Sequence, residues 1–165
     1  MNMYQSKRIR IEPLKDVHAE SLRRILSPLA IKKFTVTIPH PYSEQNARDW
    51  IRSVNSEESR IRSWIVVLDE KMAGFVDFIY GENGKCEIGF VVGTEYQGKG
   101  IASFALQASM LSEKFFAREL SVESKFVAYC HEDNKASERV LEKNGFLKAG
   151  SKDIEGKAFN VFHYE

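Results

Sequence analysis

Closely spaced glycines open one of the predicted helices in this chain of 165 residues. Residues 97–102 read Gln-Gly-Lys-Gly-Ile-Ala and follow an apolar run typical of a strand. The first backbone N–H groups of a helix have no partner inside the helix, and the helix dipole adds partial positive charge there. Small residues at 98, 100 and 102 would let an anion approach these amides closely. The segment is therefore suited to binding a phosphate or pyrophosphate group.

Two familiar phosphate-binding patterns fit this turn poorly. Gly93, Gly98 and Lys99 begin like a P-loop, but Gly100 stands where Mg²⁺ binding needs Ser or Thr. A dinucleotide-binding turn needs a third glycine where this chain has Ser103. The residues of the turn alone also leave the alternative that the glycines only let the backbone make a tight turn.

The elements around this turn follow from the spacing of apolar residues. Three strand-like runs separated by short polar turns, between 61 and 92, predict an antiparallel meander. The strand, helix and strand between 85 and 130 form one crossover unit, so these two strands should be parallel. Residues 28–42 hold three of the four prolines and predict an irregular connection with an extended piece at 35–38. Strands are predicted at 7–13, 61–68, 73–80, 85–92, 124–130, 146–151 and 158–164, and helices after the N-caps Asp16, Ser43 and Asn134 and over 99–116.

Together these elements predict an α/β (α+β) fold in a single domain spanning 1–165. The sheet is expected to be mixed and mostly antiparallel, with six or seven strands and helices on both faces. In the helix over 99–116, we expect one inward stripe. Its predicted members are Ile101, Phe104, Ala105, Ala108 and Leu111.

Composition narrows the classes of partner. Hydrophobic residues make up 43% and charged residues 28%, as in ordinary globular proteins, and a net charge of +1 gives no reason to expect nucleic acid or membrane as partner. No run approaches the ~18 apolar residues of a membrane span, and the first residues lack the apolar core of a signal peptide. We therefore expect a cytoplasmic protein in which Cys86 and Cys130 are buried thiols. The four histidines are scattered, so no metal site is predicted.

Residues 97–102 match the pyrophosphate loop Q/R-x-x-G-x-G/A of the GNAT superfamily of N-acetyltransferases, which the chain resembles in three further segments. Residues 134–146 resemble its later motif, N-x-A-S followed by E-K-x-G-F. Residues 8–14 and 42–51 look like the opening strand and second helix of the RimJ/RimL-like branch, which acetylates ribosomal-protein N-termini. The resemblance covers nearly the whole chain in the right order.

The resemblance implies that acetyl-CoA binds between the strands at 85–92 and 124–130. The backbone of Phe90, Val91 and Val92 would pair with the pantetheine arm, and Asn134 would hydrogen-bond it from the other side; a plain helix cap is the alternative for Asn134. The residues implied to bind the pyrophosphate are Gln97, Gly98, Lys99, Gly100, Ile101 and Ala102.

The transfer needs a neutral amine, a polarised thioester carbonyl and a proton for the leaving thiolate. A strand N–H near Val91 or Val92 could polarise the carbonyl. Glu87 is the candidate base, with an exposed position on an alternating strand as its alternative. Ser137 matches the serine of RimL-like members as the thiolate partner, because Leu141 stands where many relatives carry Tyr. Two weaker candidates beside the cleft are Tyr129 and His131.

The sequence identifies the acetyl acceptor less closely than the acetyl donor. A peptide N-terminal α-amine is the leading acceptor, with a polyamine, antibiotic amine or amino acid as alternatives. We expect 28–42 and 152–158 to line the acceptor site and the protein to be a monomer or homodimer. A CoA-binding module without catalysis is the rival from another class, because Tyr is missing at position 141.

Overall fold

The structure is a computed structural model that describes residues 8–119 and 125–164. Its seven strands form one sheet in the order β1-β2-β3-β4-β5-β7-β6. Neighbouring strands are antiparallel except β4 and β5, which are parallel. The prediction of a mixed, mostly antiparallel sheet with this parallel pair is therefore confirmed. The strands are β1 (Ile9–Pro13), β2 (Ile61–Leu68), β3 (Lys71–Tyr80), β4 (Lys85–Val92), β5 (Lys125–His131), β6 (Phe146–Ile154) and β7 (Lys157–Tyr164).

Two of the predicted helix caps form as expected. Ser43 Oγ accepts a hydrogen bond of 3.0 Å from the N–H of Asn46, and the Asn134 side chain accepts one from the N–H of Ser137. Gly145 ends the last helix with φ +88°, a left-handed conformation that favours glycine. The helices are α1 (Ala19–Leu26), α2 (Leu29–Lys32), α3 (Glu44–Val54), α4 (Ile101–Glu119) and α5 (Lys135–Lys143), with 3₁₀ turns at Asp16–His18, Glu82–Gly84 and Thr94–Tyr96.

The sheet separates two apolar cores. Helices α1 to α3 cover one face, here called the α1–α3 face, and α4 with α5 cover the other, the α4–α5 face. Alternate residues of β3 enter opposite cores: Phe75 packs on the α1–α3 face, whereas Val76 and Phe78 pack on the α4–α5 face. The predicted placement of helices on both faces is confirmed.

The predicted inward stripe of α4 is wrong in part. Phe104 is 36% and Leu111 64% exposed, whereas Ser109 and Glu113 are buried. The buried carboxylate of Glu113 forms an ion pair with Arg62 Nε at 2.9 Å and accepts hydrogen bonds from Trp64 Nε1, at 2.7 Å, and from the Tyr80 hydroxyl. These partners lie on β2 and β3, so a count of apolar residues along α4 could not reveal the inward face.

Two smaller expectations also change. Asp16 begins a 3₁₀ turn rather than capping α1, and Val17, within this turn, is 81% exposed. No strand forms at 35–38, and the short helix α2 stands at the start of this connection. Lys7 and Ser124, predicted as first residues of strands, lie outside the described residues.

Both cysteines are free and buried. Over the two described ranges, no helix is long and apolar enough to cross a bilayer.

Candidate functional site

A wedge-shaped cleft opens where β4 and β5 stop pairing. The two strands pair from Lys85 with Lys125 to Ile88 with Ala128. Beyond that point β4 continues to Val92 along β3, and β5 continues along β7. The backbone groups of β4 that would have bonded to β5 are thus left for another partner at the carboxyl end of the strands.

Residues 90–92 present their backbone alternately to β3 and to the cleft. The N–H of Gly93 donates to the Ala73 carbonyl of β3 at 2.8 Å, so by alternation the groups of Val91 also point to β3. Those of Phe90 and Val92 point to the cleft. The Val92 carbonyl there accepts a hydrogen bond of 3.1 Å from Gln97 Nε2. Two of the three predicted pantetheine contacts therefore have cleft-facing backbone groups, and Val91 does not.

The glycine turn exposes the start of α4. Gly98 and Gly100 have φ of +72° and +77°, and a Cβ at either would meet no atom within 4 Å. The first helical bond runs from the N–H of Phe104 to the Gly100 carbonyl at 3.1 Å. The N–H groups at 101–103 therefore precede the first intrahelical donor, next to open space that suits a pyrophosphate.

Lys99 adds a positive charge at this turn. Its ammonium lies 3.0 Å from the Glu95 carbonyl and 6.0 Å from the centre of the Tyr96 ring, with the side chain exposed. An exposed ammonium beside free amides strengthens the electrostatic attraction for a phosphate group.

Glu87 and Ser137 lie on different elements. Glu87 is on the α1–α3 side of β4 and is exposed, as its alternative interpretation expected; desolvation by the surrounding protein nevertheless raises the pKa of its carboxyl, opposed by the positive charge of Lys152. Ser137 is half-buried in the first turn of α5, with its N–H donated to Asn134 Oδ1 at 3.2 Å. Leu141 is 1% exposed and belongs to the core under the sheet. A carboxylate of raised pKa is a better base, which suits the role predicted for Glu87.

The sequence interpretation missed Asp77, a buried acid in β3. Its side chain is 9% exposed, and its Oδ1 is buried without a hydrogen-bond partner. Burial raises the pKa of Asp77 to about 7, against the effect of a hydrogen bond with Ser63. The signal was present in the sequence: one acidic residue interrupts the otherwise apolar run at 73–79.

The long connection at 28–42 reaches the end of β5. The rings of Phe34 and His131 lie 5.6 Å apart, and Lys157 Nζ donates to the Thr35 carbonyl at 3.4 Å. The two segments predicted to line the acceptor site thus contact each other beside the cleft. The His131 ring also packs on Phe159, at 5.4 Å, which favours a structural role for it.

Tyr129, the other weak candidate, lies under Lys152, whose ammonium is 5.2 Å from the ring centre. In the part of the chain that the structure describes, no three His, Cys, Asp or Glu side chains cluster as a metal site would require.

Comparison with known proteins gives a family match over most of the chain. The family model described as "Acetyltransferase (GNAT) domain" matches residues 8–147. The chain is 28% identical to the ribosomal-protein-serine acetyltransferase of Escherichia coli K12 over 123 residues, which cover 64% of this chain and 66% of that protein, just under two thirds of its length.

Two solved structures share the fold. RimL, a ribosomal L7/L12 α-N-protein acetyltransferase in complex with coenzyme A, has a TM-score of 0.79 and 22% identity, covering 96% of this chain and 94% of that chain. The microcin C7 self-immunity acetyltransferase MccE, in complex with acetyl-CoA and AMP, has a TM-score of 0.79 and 21% identity, covering 96% and 92%.

Proposed function

The chain belongs to the GNAT acetyltransferase family, and we propose that it transfers the acetyl group of acetyl-CoA to the α-amine of a protein or peptide N-terminus. The predictions of the family, of its fold and of acetyl-CoA as the donor agree with the family match. The observation that carries the proposal is the opening of β4 from β5 after Ile88, directly before the glycine turn that starts α4. The two features together provide backbone groups for an extended arm and amides for a pyrophosphate.

The donor would lie with its pantetheine arm against the cleft-facing backbone of Phe90 and Val92 and its pyrophosphate against residues 97–102. Asn134 already uses its Oδ1 to cap α5, so an additional contact with pantetheine would come from its amide nitrogen. A cleft-facing N–H of β4 is placed to polarise the thioester carbonyl.

Transfer proceeds by direct attack in a ternary complex. The amine nitrogen forms a bond to the thioester carbon, and the C–S bond breaks as the tetrahedral intermediate collapses. We assign Glu87 to the removal of a proton from the amine, directly or through water, and Ser137 to donating a hydrogen bond to the thiolate. The thiolate ends as the free thiol, so the products are an N-acetyl amine and CoA.

Two observations favour an N-terminal α-amine over a lysine-type amine. The E. coli relative and RimL are both named as acetyltransferases of ribosomal proteins, the second of an α-amine. In addition, an α-amine has a pKa of about 7.7–8.0 and is partly neutral at physiological pH, whereas a lysine-type amine at about 10.4 is almost fully charged. A site whose bases are carboxylates is better matched to the first.

A panel of acceptors tests this proposal. It contains peptides that begin with Ser, Ala or Met, the same peptides with a blocked N-terminus and one internal lysine, spermidine, and free amino acids. We expect thiol release from acetyl-CoA with the free N-termini at a kcat/KM at least tenfold above that with any other amine. Faster turnover of spermidine or an amino acid would replace the peptide with a small-molecule acceptor. Acetyl-CoA binding without turnover of any amine would support the non-catalytic module.

We further propose a cytoplasmic location and a single catalytic domain. The location is supported by two buried thiols that remain unpaired, as expected in a reducing compartment. The single domain is supported by the one continuous sheet to which all seven described strands belong.

A further inference from the structure

Asp77 is a buried acid without a compensating cation. Asp77 is 9% exposed, and its Oδ1 has no hydrogen-bond partner. The carboxyl forms a hydrogen bond with Ser63 on the neighbouring strand β2. Among the described residues, no Lys, Arg or His forms an ion pair with it. A buried carboxylate is costly unless it is paired. The position therefore calls for a positively charged or hydrogen-donating ligand from outside the fold.

Asp77 lies next to the point where the cleft opens. Its Cα partner across the sheet is Gly89, the first residue of β4 beyond the last pair with β5. Directly opposite residues of antiparallel strands carry their side chains on the same face. A Cβ on Gly89 would meet no atom within 4 Å. The side chain of Asp77 and the open space above Gly89 therefore lie on the same face of the sheet, at the base of the wedge.

The groups around Asp77 make this space selective for a cation. Tyr42, from the segment before α3, is near enough for the charge of Asp77 to raise its pKa, which burial brings to about 12. Glu87 follows on the same face of β4, two residues from Gly89, so a second carboxylate lies along the same surface. Ser63 is uncharged. Lys152 offsets the charge of Glu87, but no ion pair among the described residues neutralises Asp77, so the surface around Asp77 favours an ammonium ion.

We propose that Asp77 binds the acceptor's ammonium group over Gly89 and takes up its first proton, while Glu87 removes the second proton from the attacking nitrogen. This assignment rests on the proposed function and deepens it, because it names the residue that recognises the attacking nitrogen. An ammonium group would bring the charge that the buried carboxylate lacks. Placed over Gly89, its nitrogen would lie beside the segment of β4 that no longer pairs with β5, where the thioester is expected.

The proton balance of the step is simple. The carboxylate of Asp77 accepts one proton from the bound ammonium, which frees the nitrogen lone pair for attack on the thioester carbon. The N–C bond forms, the C–S bond breaks, and the thiolate leaves. Glu87 removes the second proton of the attacking nitrogen, directly or through water, as the intermediate collapses, and this proton ends on the thiolate through water or Ser137. Asp77 releases the first proton to solvent after the product leaves.

The test compares wild type with Asp77→Asn, which keeps the shape of the side chain and removes its charge. With the best acceptor of the wild type, we expect kcat/KM for the amine to fall by ~100-fold or more, as for loss of a general base. The Kd for acetyl-CoA should stay within threefold of wild type. The control is Glu82→Gln, an exposed acid in the β3–β4 turn, far along the strands from Gly89, and it should have wild-type activity.

A pH profile distinguishes a role of Asp77 at the amine from a purely structural role. For the wild type, log kcat/KM should rise with pH through two bends, one that Asp77→Asn removes and Glu87→Gln leaves in place, and one that belongs to Glu87. Asp77→Ser, which is smaller and can still bond Ser63, serves in place of Asn if that variant does not fold. If Asp77 is only structural, its substitution should lower the melting temperature and leave its bend in the pH profile in place.

The outcomes distinguish the two proposals. If the wild type acetylates the amine and the Asn or Ser variant has a kcat/KM within threefold of it, the role of Asp77 is overturned and the proposed function stands. Wild type that acetylates no amine, while acetyl-CoA still raises its melting temperature, overturns the proposed function and the role of Asp77 with it.

Discussion

Ile88 and Ala128 are the last residues to pair between the parallel strands β4 and β5. From this pair onward each strand follows its antiparallel neighbour, β3 or β7, and the two separate. The separation leaves backbone donors and acceptors of β4 free beside the amino end of α4. The whole donor site thus depends on one interruption in an otherwise continuous sheet, and the predictions below test its parts.

Gly100→Val should abolish the stabilisation of the protein by acetyl-CoA. Gly100 has φ +77°, and the new side chain would occupy the open space where the pyrophosphate is expected. Ligand at about 100 times its Kd should raise wild-type stability by ~2.7 kcal/mol. Thermal melts with and without acetyl-CoA provide the measurement.

The matched control for Gly100 is Gly84→Val, because Gly84 has a similar φ of +70° in the β3–β4 turn. Both variants carry a strain of about 1–2 kcal/mol and should melt earlier. Only the Gly100 variant should lose its response to acetyl-CoA. If it keeps the full response, the pyrophosphate does not bind at this turn.

Glu87→Gln should lower turnover with little effect on the affinity for acetyl-CoA. The effect should be larger on a lysine-type amine, whose neutral form costs ~4 kcal/mol at physiological pH, than on an α-amine. Because burial raises the pKa of Glu87, wild-type activity should fall as pH drops through this raised pKa, where the base becomes protonated. Steady-state rates on both amines from acidic to neutral pH check this. Equal rates for wild type and variant on both would leave Glu87 as a surface residue.

Ser137→Ala should reduce kcat roughly ten- to hundredfold, since a hydrogen bond to a developing charge contributes about 1.5–3 kcal/mol. A matched control is Ser112→Ala in α4, a serine whose hydroxyl only bonds the Ala108 carbonyl of its own helix. Thiol release under saturating substrates gives the measurement. Wild-type kcat in the Ser137 variant would mean that solvent protonates the thiolate.

Leu141→Tyr, which places a phenol where many relatives have one, should not rescue the Ser137 variant. Leu141 is 1% exposed, so the larger ring would overpack the core at a cost of about 1–3 kcal/mol. Urea unfolding of the single and double variants checks this expectation. A Leu141→Tyr protein of wild-type stability that restores the rate would show that the ring reaches the cleft.

Asp77→Asn should stabilise the ligand-free protein at pH 8 and have a smaller effect at pH 5. Burial raises the pKa of Asp77 to about 7, above the value of an unfolded chain, so the folded protein loses stability as pH rises toward 7. The amide avoids this loss, and we expect it to add ~2–4 kcal/mol at pH 8. Urea unfolding at the two pH values measures the difference. An Asn variant less stable than wild type at pH 8 would show that the carboxylate is satisfied within the fold.

The sequence predicted those parts of the molecule that depend on near neighbours. Ser43 and Asn134 act within one turn of a helix, so their roles are readable from the residues beside them. The glycine turn is equally local, because the positive φ of Gly98 and Gly100 follows from the residue type. The parallel pairing of β4 and β5 followed from the crossover through α4.

The features that the sequence did not predict depend on partners far along the chain. Glu113 is buried because Trp64, 49 residues away, donates a hydrogen bond to it. The role inferred for Asp77 depends on Ser63 and Gly89, its neighbours on two other strands. Periodicity places both acids on a face of their element, but it does not show what that face contacts.

The most direct test of the proposed activity is the position of the acetyl group on a peptide product. A peptide that begins with Ser and contains one internal lysine is incubated with acetyl-CoA and the wild-type protein, then fragmented in a mass spectrometer. The proposal predicts one added acetyl group on the N-terminal fragment ions and none on the lysine, with free CoA released in equal amount. Acetylation of the lysine alone, or no acetylation while acetyl-CoA binds, would contradict it.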